Sequence, residues 1–311
     1  MSATTFARRR TLLAAILLGL CLAAAAAAAG LEVCPGSTAD AAPQARSSAA
    51  ADAAPQIRSS AAVDAPPSAT LSASFHPERL GRRTTLSFGF RIAAPAGLLP
   101  PALTAIDLRY PRKLGIALSG LGLVTCTAVA LEASGLQGCQ ADSIMGFGDA
   151  TAEISLGPDV VAETVPITIL RAPDEENHIA LLFDAVGTAP LNTTAVFAGA
   201  LLPASSPFGG QMSINAPLIP SVPGAPDVAI VQLHATLGPN GVTYYEHVAG
   251  ETLGYQPPGI LLPPKCPRGG FPFAAQFSFV NGAHASARDT EPCPRADGAA
   301  GAGGGVGTRG F

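Results

Sequence analysis

The longest alternation of apolar and polar positions runs from Phe271 to Phe279, where Phe271, Phe273, Ala275, Phe277 and Phe279 are each one residue apart. A period of two puts such residues on one face of a β-strand. The same period recurs at Leu86, Phe88, Phe90 and Ile92, at Ile106, Leu108 and Tyr110, at Ala152, Ile154 and Leu156, and at Val231, Leu233, Ala235 and Leu237. Ser87, Arg91, Asp107, Glu153 and His234 fall between them, so each predicted strand has one dry and one wet face. The runs 179–183 and 196–202 are apolar throughout and predict strands covered on both sides. Gly- and Pro-rich breaks at 95–97, 203–210 and 220–226 punctuate the series. Short strands with recurrent turn signals define an all-β fold, an antiparallel β-sandwich of Ig-like or jelly-roll-like type. The chain length admits one large domain or two small tandem sandwiches.

Asn281-Gly282 marks a hairpin between the Phe271 run and residues 283–290, because Asn-Gly suits a two-residue type I′ turn. Val280 then faces Ala283, and a straight ladder leaves Cys266 and Cys293 four positions out of register. Pro267, Gly269 and Gly270 supply a bend that closes the gap, and a Cys266–Cys293 disulfide is expected there. Proximity in sequence pairs Cys126 with Cys139, although four cysteines allow three connectivities.

The ends of the chain read differently. Residues 1–29 carry Arg8-Arg9-Arg10, an apolar run and a poly-Ala stretch, the order of a secretory signal peptide. An uncleaved anchor is the alternative reading, since the run from Leu12 to Ala29 reaches the lower limit for spanning. Arg9-Arg10 also allows twin-arginine export, and Cys21 sits in a poor lipobox. Residues 30–68 form an Ala/Pro/Ser spacer in which Asp40-Ala-Ala-Pro-Gln is repeated from Asp52. It offers almost nothing to bury and is expected to be disordered, with Cys34 left over. The region 69–295 holds the strands, and 296–311 is a disordered Gly-rich tail. The G-x-G-x-x-G at 305–310 lacks the strand and helix that a dinucleotide site needs.

Composition narrows the function. Charged residues make up 13% and the net charge is −4, without a Lys/Arg stripe, which argues against a nucleic-acid partner. An exported chain keeps cysteines as disulfides. No G-x-S-x-G, S-x-x-K, H-E-x-x-H or C-x-x-C motif occurs, so neither a nucleophile elbow nor a zinc knuckle is indicated, and no cofactor is expected.

Two polar clusters remain. Tyr244, Tyr245, Glu246 and His247, followed by Glu251 and Tyr255, could form a surface that stacks on and hydrogen-bonds a sugar, or serve as edge-strand residues facing water. Glu246 and Glu251 could alternatively supply the carboxylate pair of a glycan hydrolase. Asp174, Glu175 and Glu176 could hold Ca²⁺ on a loop; they fit equally the turn chemistry of an ordinary hairpin opened by Pro173-Asp174. Asn192-Thr193-Thr194 is a glycosylation sequon.

The segments GIALSGLGLVTC (115–126), APDV (225–228) and CPRGGFPF (266–273) resemble exported proteins of high-GC actinobacteria with no assigned activity. The resemblance implies export and paired cysteines and carries over no site residue. The combined expectation is a secreted or cell-envelope protein with a binding or structural role and no catalysis. Its partners would be cell-wall or envelope components, without stable membrane insertion once the signal is cleaved. An extracellular hydrolase and a signal-anchored surface protein are the alternatives.

Overall fold

A computed structural model describes residues 66–294 apart from 96–97, 157–158 and 222. The expected signal segment 1–29, the spacer up to residue 65 and the tail 296–311 lie outside the described residues. The alternating runs become strands: β1 (Ser68–His76), β2 (Arg83–Ala93), β3 (Leu103–Pro111), β4 (Ile144–Leu156), β5 (Asp159–Arg171), β6 (Ile179–Val186), β7 (Thr194–Pro203), β8 (Phe208–Asn215), β9 (Ala229–Leu237), β10 (Tyr244–Val248), β11 (Glu251–Tyr255), β12 (Ile260–Leu261), β13 (Phe271–Phe279) and β14 (His284–Glu291). Their pairing is antiparallel in the order β1-β2-β9-β4-β5-β6-β7-β8-β3-β13-β14, with β12 added to β2 and β10–β11 forming a separate ribbon. The all-β class is as expected, in the single-domain form. The two layers anticipated for a sandwich are opposite walls of one continuous sheet.

That sheet curls until its edge strands meet. The Ala73 N–H of β1 donates to Asp289 Oδ2 of β14 at 2.7 Å. Across the seam, Phe75 meets Phe271 and Phe273 with ring centroids 5.4 and 5.9 Å apart. The small inward residues of β14, Ala285 and Ala287, leave room for those rings. The result is a nearly closed barrel whose apolar residues point inward: Phe88, Phe90, Ile167, Phe183, Met212 and Phe277 are all buried.

Three local departures from the sequence pattern matter. Thr151 faces Gln232 while Ala152 faces Ile230, so Val231 is the extra residue of a β-bulge. A bulge switches the face of every residue beyond it; Leu233 and Ala235 stay inside as expected, but Ile230 takes the place assigned to Val231. The β13–β14 hairpin pairs Ser278 with His284, one residue away from the expected register. Its loop has three residues, because only Gly282 takes a left-handed conformation (φ 79°) and the Gly282 N–H donates to Phe279 O at 2.9 Å. That is a type I turn with a glycine bulge in place of type I′. The third departure is helical: α1 (Ala128–Ser134) starts at Thr127, whose hydroxyl accepts the Ala130 N–H, and ends at Gly135.

The helix explains the doubly apolar run of β6. Leu131 packs with Leu170, Ala180 and Leu182 on the outer face of β5 and β6. Strand β7 is covered less completely than its composition suggests, since Ala198 is exposed. Both expected disulfides are present, Cys126–Cys139 and Cys266–Cys293, with Cα separations of 5.3 and 5.8 Å. Gly269 and Gly270, at positive φ, make the bend that brings the second pair together.

Candidate functional site

Barrel diameter grows with strand number, and eight strands already leave an interior that side chains just fill. Eleven strands around this wall enclose more space than the aromatic residues occupy. A cavity of about 100 Å³ remains among Phe88, Ile167, Phe183, Phe197 and Met212. Phe183 and Phe197 stack with centroids 5.1 Å apart and form part of its wall.

Of the described residues lining the cavity, only Glu163 and Thr193 carry polar side chains. Glu163 shares the inward parity of Val165, Ile167 and Ile169 on β5 and is 4% exposed. The Thr188 N–H donates to its Oε1 at 2.5 Å. Beside it, a Cβ on Gly187 would lie 2.8 Å from that same oxygen, so glycine at 187 leaves the carboxylate its seat. Oε2 is buried and has no hydrogen-bond partner among the described residues. The Thr193 hydroxyl is occupied by donation to Leu191 O. Extending the period-two pattern of Val165, Ile167 and Ile169 back by one step places Glu163 inside, a signal the sequence carries locally.

The Tyr/Glu/His cluster is divided by the structure. Tyr244 is fully buried and does not belong to any surface, contrary to expectation. Its hydroxyl donates to Ile144 O and accepts the Gly122 N–H, both at 2.7 Å. Burial pushes its pKa up to about 12, with Asp142 and Tyr255 adding to the rise and the Gly122 N–H opposing it. Tyr245, Glu246, His247 and Glu251 are exposed on the β10–β11 ribbon. Strand alternation puts Tyr245 and His247 on one face, and Glu246 with Glu251 on the other. Glu246 and Glu251 therefore share a face, open to water.

At the other cluster, Asp174 pairs with Arg171 at 2.7 Å and Glu175 exchanges backbone hydrogen bonds with His178 in a tight turn. Glu176 and Asn177 take positive φ. Among the described residues no three His, Cys, Asp or Glu side chains gather as a metal site; Glu175 and Glu176 lie in the tight turn between β5 and β6, and Asp174 lies just before it. Asn192 of the sequon is exposed, also at positive φ. Elsewhere, burial raises the pKa of Asp184, and burial together with Glu78 and Asp289 raises that of Glu291.

Away from the apolar outer face of β5–β7, part of which α1 covers, the outer wall is polar. Ser72, Ser74, Arg91, Asp149, His234, Gln276 and Arg288 face solvent, and Gln211 bridges Arg109 to Asp107 at 3.1 and 2.8 Å. A membrane-spanning barrel shows the reverse, an apolar band outside and a polar lumen. Fold and site together define an antiparallel barrel with a water-facing wall and an apolar interior holding one buried carboxylate. No protein-family model, curated protein or solved structure matches the chain.

Proposed function

We propose that this is an exported, non-catalytic binding protein that takes a small, largely apolar molecule into its barrel. The observation carrying this reading is the cavity of about 100 Å³ inside a wall that is polar outside over most of its strands. Apolar voids of comparable size stay dry and accept small hydrocarbons. A ligand there would recover dispersion contacts that the empty void forfeits. Export rests on the order of residues 1–29 and agrees with the two disulfides, which persist in oxidising compartments.

Thermal denaturation of the purified protein with and without benzene or n-pentane tests the reading. A ligand that binds only the folded state raises the melting temperature with concentration. Absence of any shift at saturating probe would overturn it.

A second reading is favoured by the β10–β11 ribbon, where Tyr245, Val248 and Leu253 are about half exposed. It would contact a cell-wall or envelope component, and Tyr245→Ala would abolish retention on the corresponding glycan. Retention unchanged by that substitution removes this reading.

A further inference from the structure

We propose that Glu163 anchors the ligand of the barrel interior and that this ligand is a small alkyl or aryl amine, held by its ammonium group on Oε2. The inference deepens the interior-binding reading and rests on it.

Glu163 is 4% exposed, and one of its two carboxylate oxygens is occupied. The other, Oε2, is buried without a partner, on a residue that lines the cavity. A buried acceptor left unmade costs about 1–3 kcal/mol, more when charged. Buried polar atoms are paired in the great majority of cases, so each exception calls for an explanation. The seat of this carboxylate is shaped on both sides: the Thr188 amide fixes Oε1, and the missing side chain at Gly187 leaves room for it. A backbone so arranged holds Oε2 ready for a donor coming from the cavity.

The chemistry of that donor follows from charge. The ion pair Arg171–Asp174 is the only one among the described residues, so none of the described cationic side chains pairs with Glu163. A buried carboxylate needs a compensating charge more than it needs a neutral hydroxyl. An ammonium supplies both the charge and the hydrogen bond, and such bonds are about twice as strong as neutral ones. A carboxylate or phosphate on the ligand would be repelled. The rest of the molecule is hydrocarbon in this proposal, because every other described lining side chain except Thr193 is apolar. A void of about 100 Å³ accommodates roughly four non-hydrogen atoms, in proportion to the six of benzene in a cavity of about 150 Å³, which matches the hydrocarbon part of a butyl chain.

Calorimetric or NMR titration of the full chain with n-butylamine, 1-butanol, n-pentane and butyrate at neutral pH tests the proposal. Butylamine is expected to bind at least about tenfold more tightly than the other three, the weight of one hydrogen bond to a charged group. In Glu163→Gln that preference disappears, while n-pentane binds as before. The ranking on the unaltered protein needs no variant and stands even if Glu163→Gln fails to fold. If n-pentane or 1-butanol binds as well as butylamine, the ammonium assignment is overturned and the interior-binding reading survives. A preference for butylamine that persists in folded Glu163→Gln removes Glu163 as the anchor. If no probe binds, both the proposal and the reading beneath it fall.

Discussion

The backbone N–H of Ala73 donates to Asp289 Oδ2 at 2.7 Å, so a side chain stands where a β-ladder would otherwise close the barrel. β1 and β14 have no ladder between them in the sheet order. The seam is held by this bond and by the Phe75, Phe271 and Phe273 cluster. Asp289→Ala removes an acceptor from a backbone amide on a strand edge. The expected loss is about 1–3 kcal/mol of unfolding free energy, measured by urea denaturation. Asp289→Asn keeps a carbonyl oxygen at the same place and should lose less than half as much. Equal losses in both variants would show that the bond does not hold the seam.

One end of the barrel is fastened by Arg83. Its Nη1 donates to Leu118 O at 2.7 Å, Ser119 O at 2.8 Å and Gly259 O at 3.1 Å. These carbonyls belong to the segment between β3 and β4 and to the approach to β12. Because Arg83 is exposed, its global contribution is modest, and the effect of Arg83→Ala is expected to be local. Hydrogen exchange at the Leu121 and Gly122 amides should quicken about tenfold, through local opening of the segment. The free energy of global unfolding should change by no more than about 1 kcal/mol. A uniform increase in exchange over all strands would contradict this assignment.

How much of this was legible beforehand depends on the range of the interaction. The inward faces of β2, β3 and β13 follow from period-two alternation alone, since Phe88, Ile106 and Phe277 announce themselves locally. The Cys266–Cys293 bridge was legible from Gly269 and Gly270, which supply conformations closed to other residues. Val231 misled because a bulge is decided by the partner strand, where Thr151 and Ala152 straddle it. The hairpin register failed for a similar reason: Asn-Gly permits two turns, and the ladder of β13 with β3 and β14 selects one. Closure into a barrel rests on contacts more than two hundred positions apart, such as Ala73 with Asp289, and has no local signature. Glu163 is legible by parity but gains meaning only once the opposite wall shows a void.

Asp184 lies on the outer face of β6, buried near the helix that covers that face, opposite Thr168 on β5 and Val196 on β7. Burial raises its pKa above the ordinary value of 3.8. The folded state therefore holds its proton to higher pH than the unfolded chain does. Below pH 3.8 both states are protonated and Asp184 imposes no penalty. As pH rises through the folded-state pKa the unfolded chain has already ionised, and stability falls. Asp184→Asn removes that penalty and should stabilise the protein at pH 7 by about 0.5–2 kcal/mol, the usual yield of relieving one unfavourable site. The gain should vanish in melts performed near pH 3. A gain independent of pH would place its origin in packing instead of charge.

Tyr244 and its neighbour Tyr245 separate a structural tyrosine from a surface one. Tyr244 is fully buried and its hydroxyl joins Gly122 N–H to Ile144 O, tying the segment before β4 to the start of β10. Tyr244→Phe strands a buried amide and a carbonyl, at an expected cost of about 2 kcal/mol. Tyr245→Ala, on the exposed ribbon, should change stability by no more than about 0.5 kcal/mol. Alkaline titration gives an independent readout. The phenol ionises at 10.0 in the ordinary case but at about 12 in the folded protein. Its contribution is thus intact below pH 10 and is lost as pH rises through about 12, because the unfolded chain releases the proton first. Burial raises Tyr110 in the same direction, so Tyr244→Phe should flatten the alkaline fall in stability without abolishing it. Phenolate absorbance followed against unfolding decides the matter: full ionisation of Tyr244 near pH 10 in the folded state would refute its burial, whereas ionisation coincident with unfolding is the outcome expected of a buried phenol.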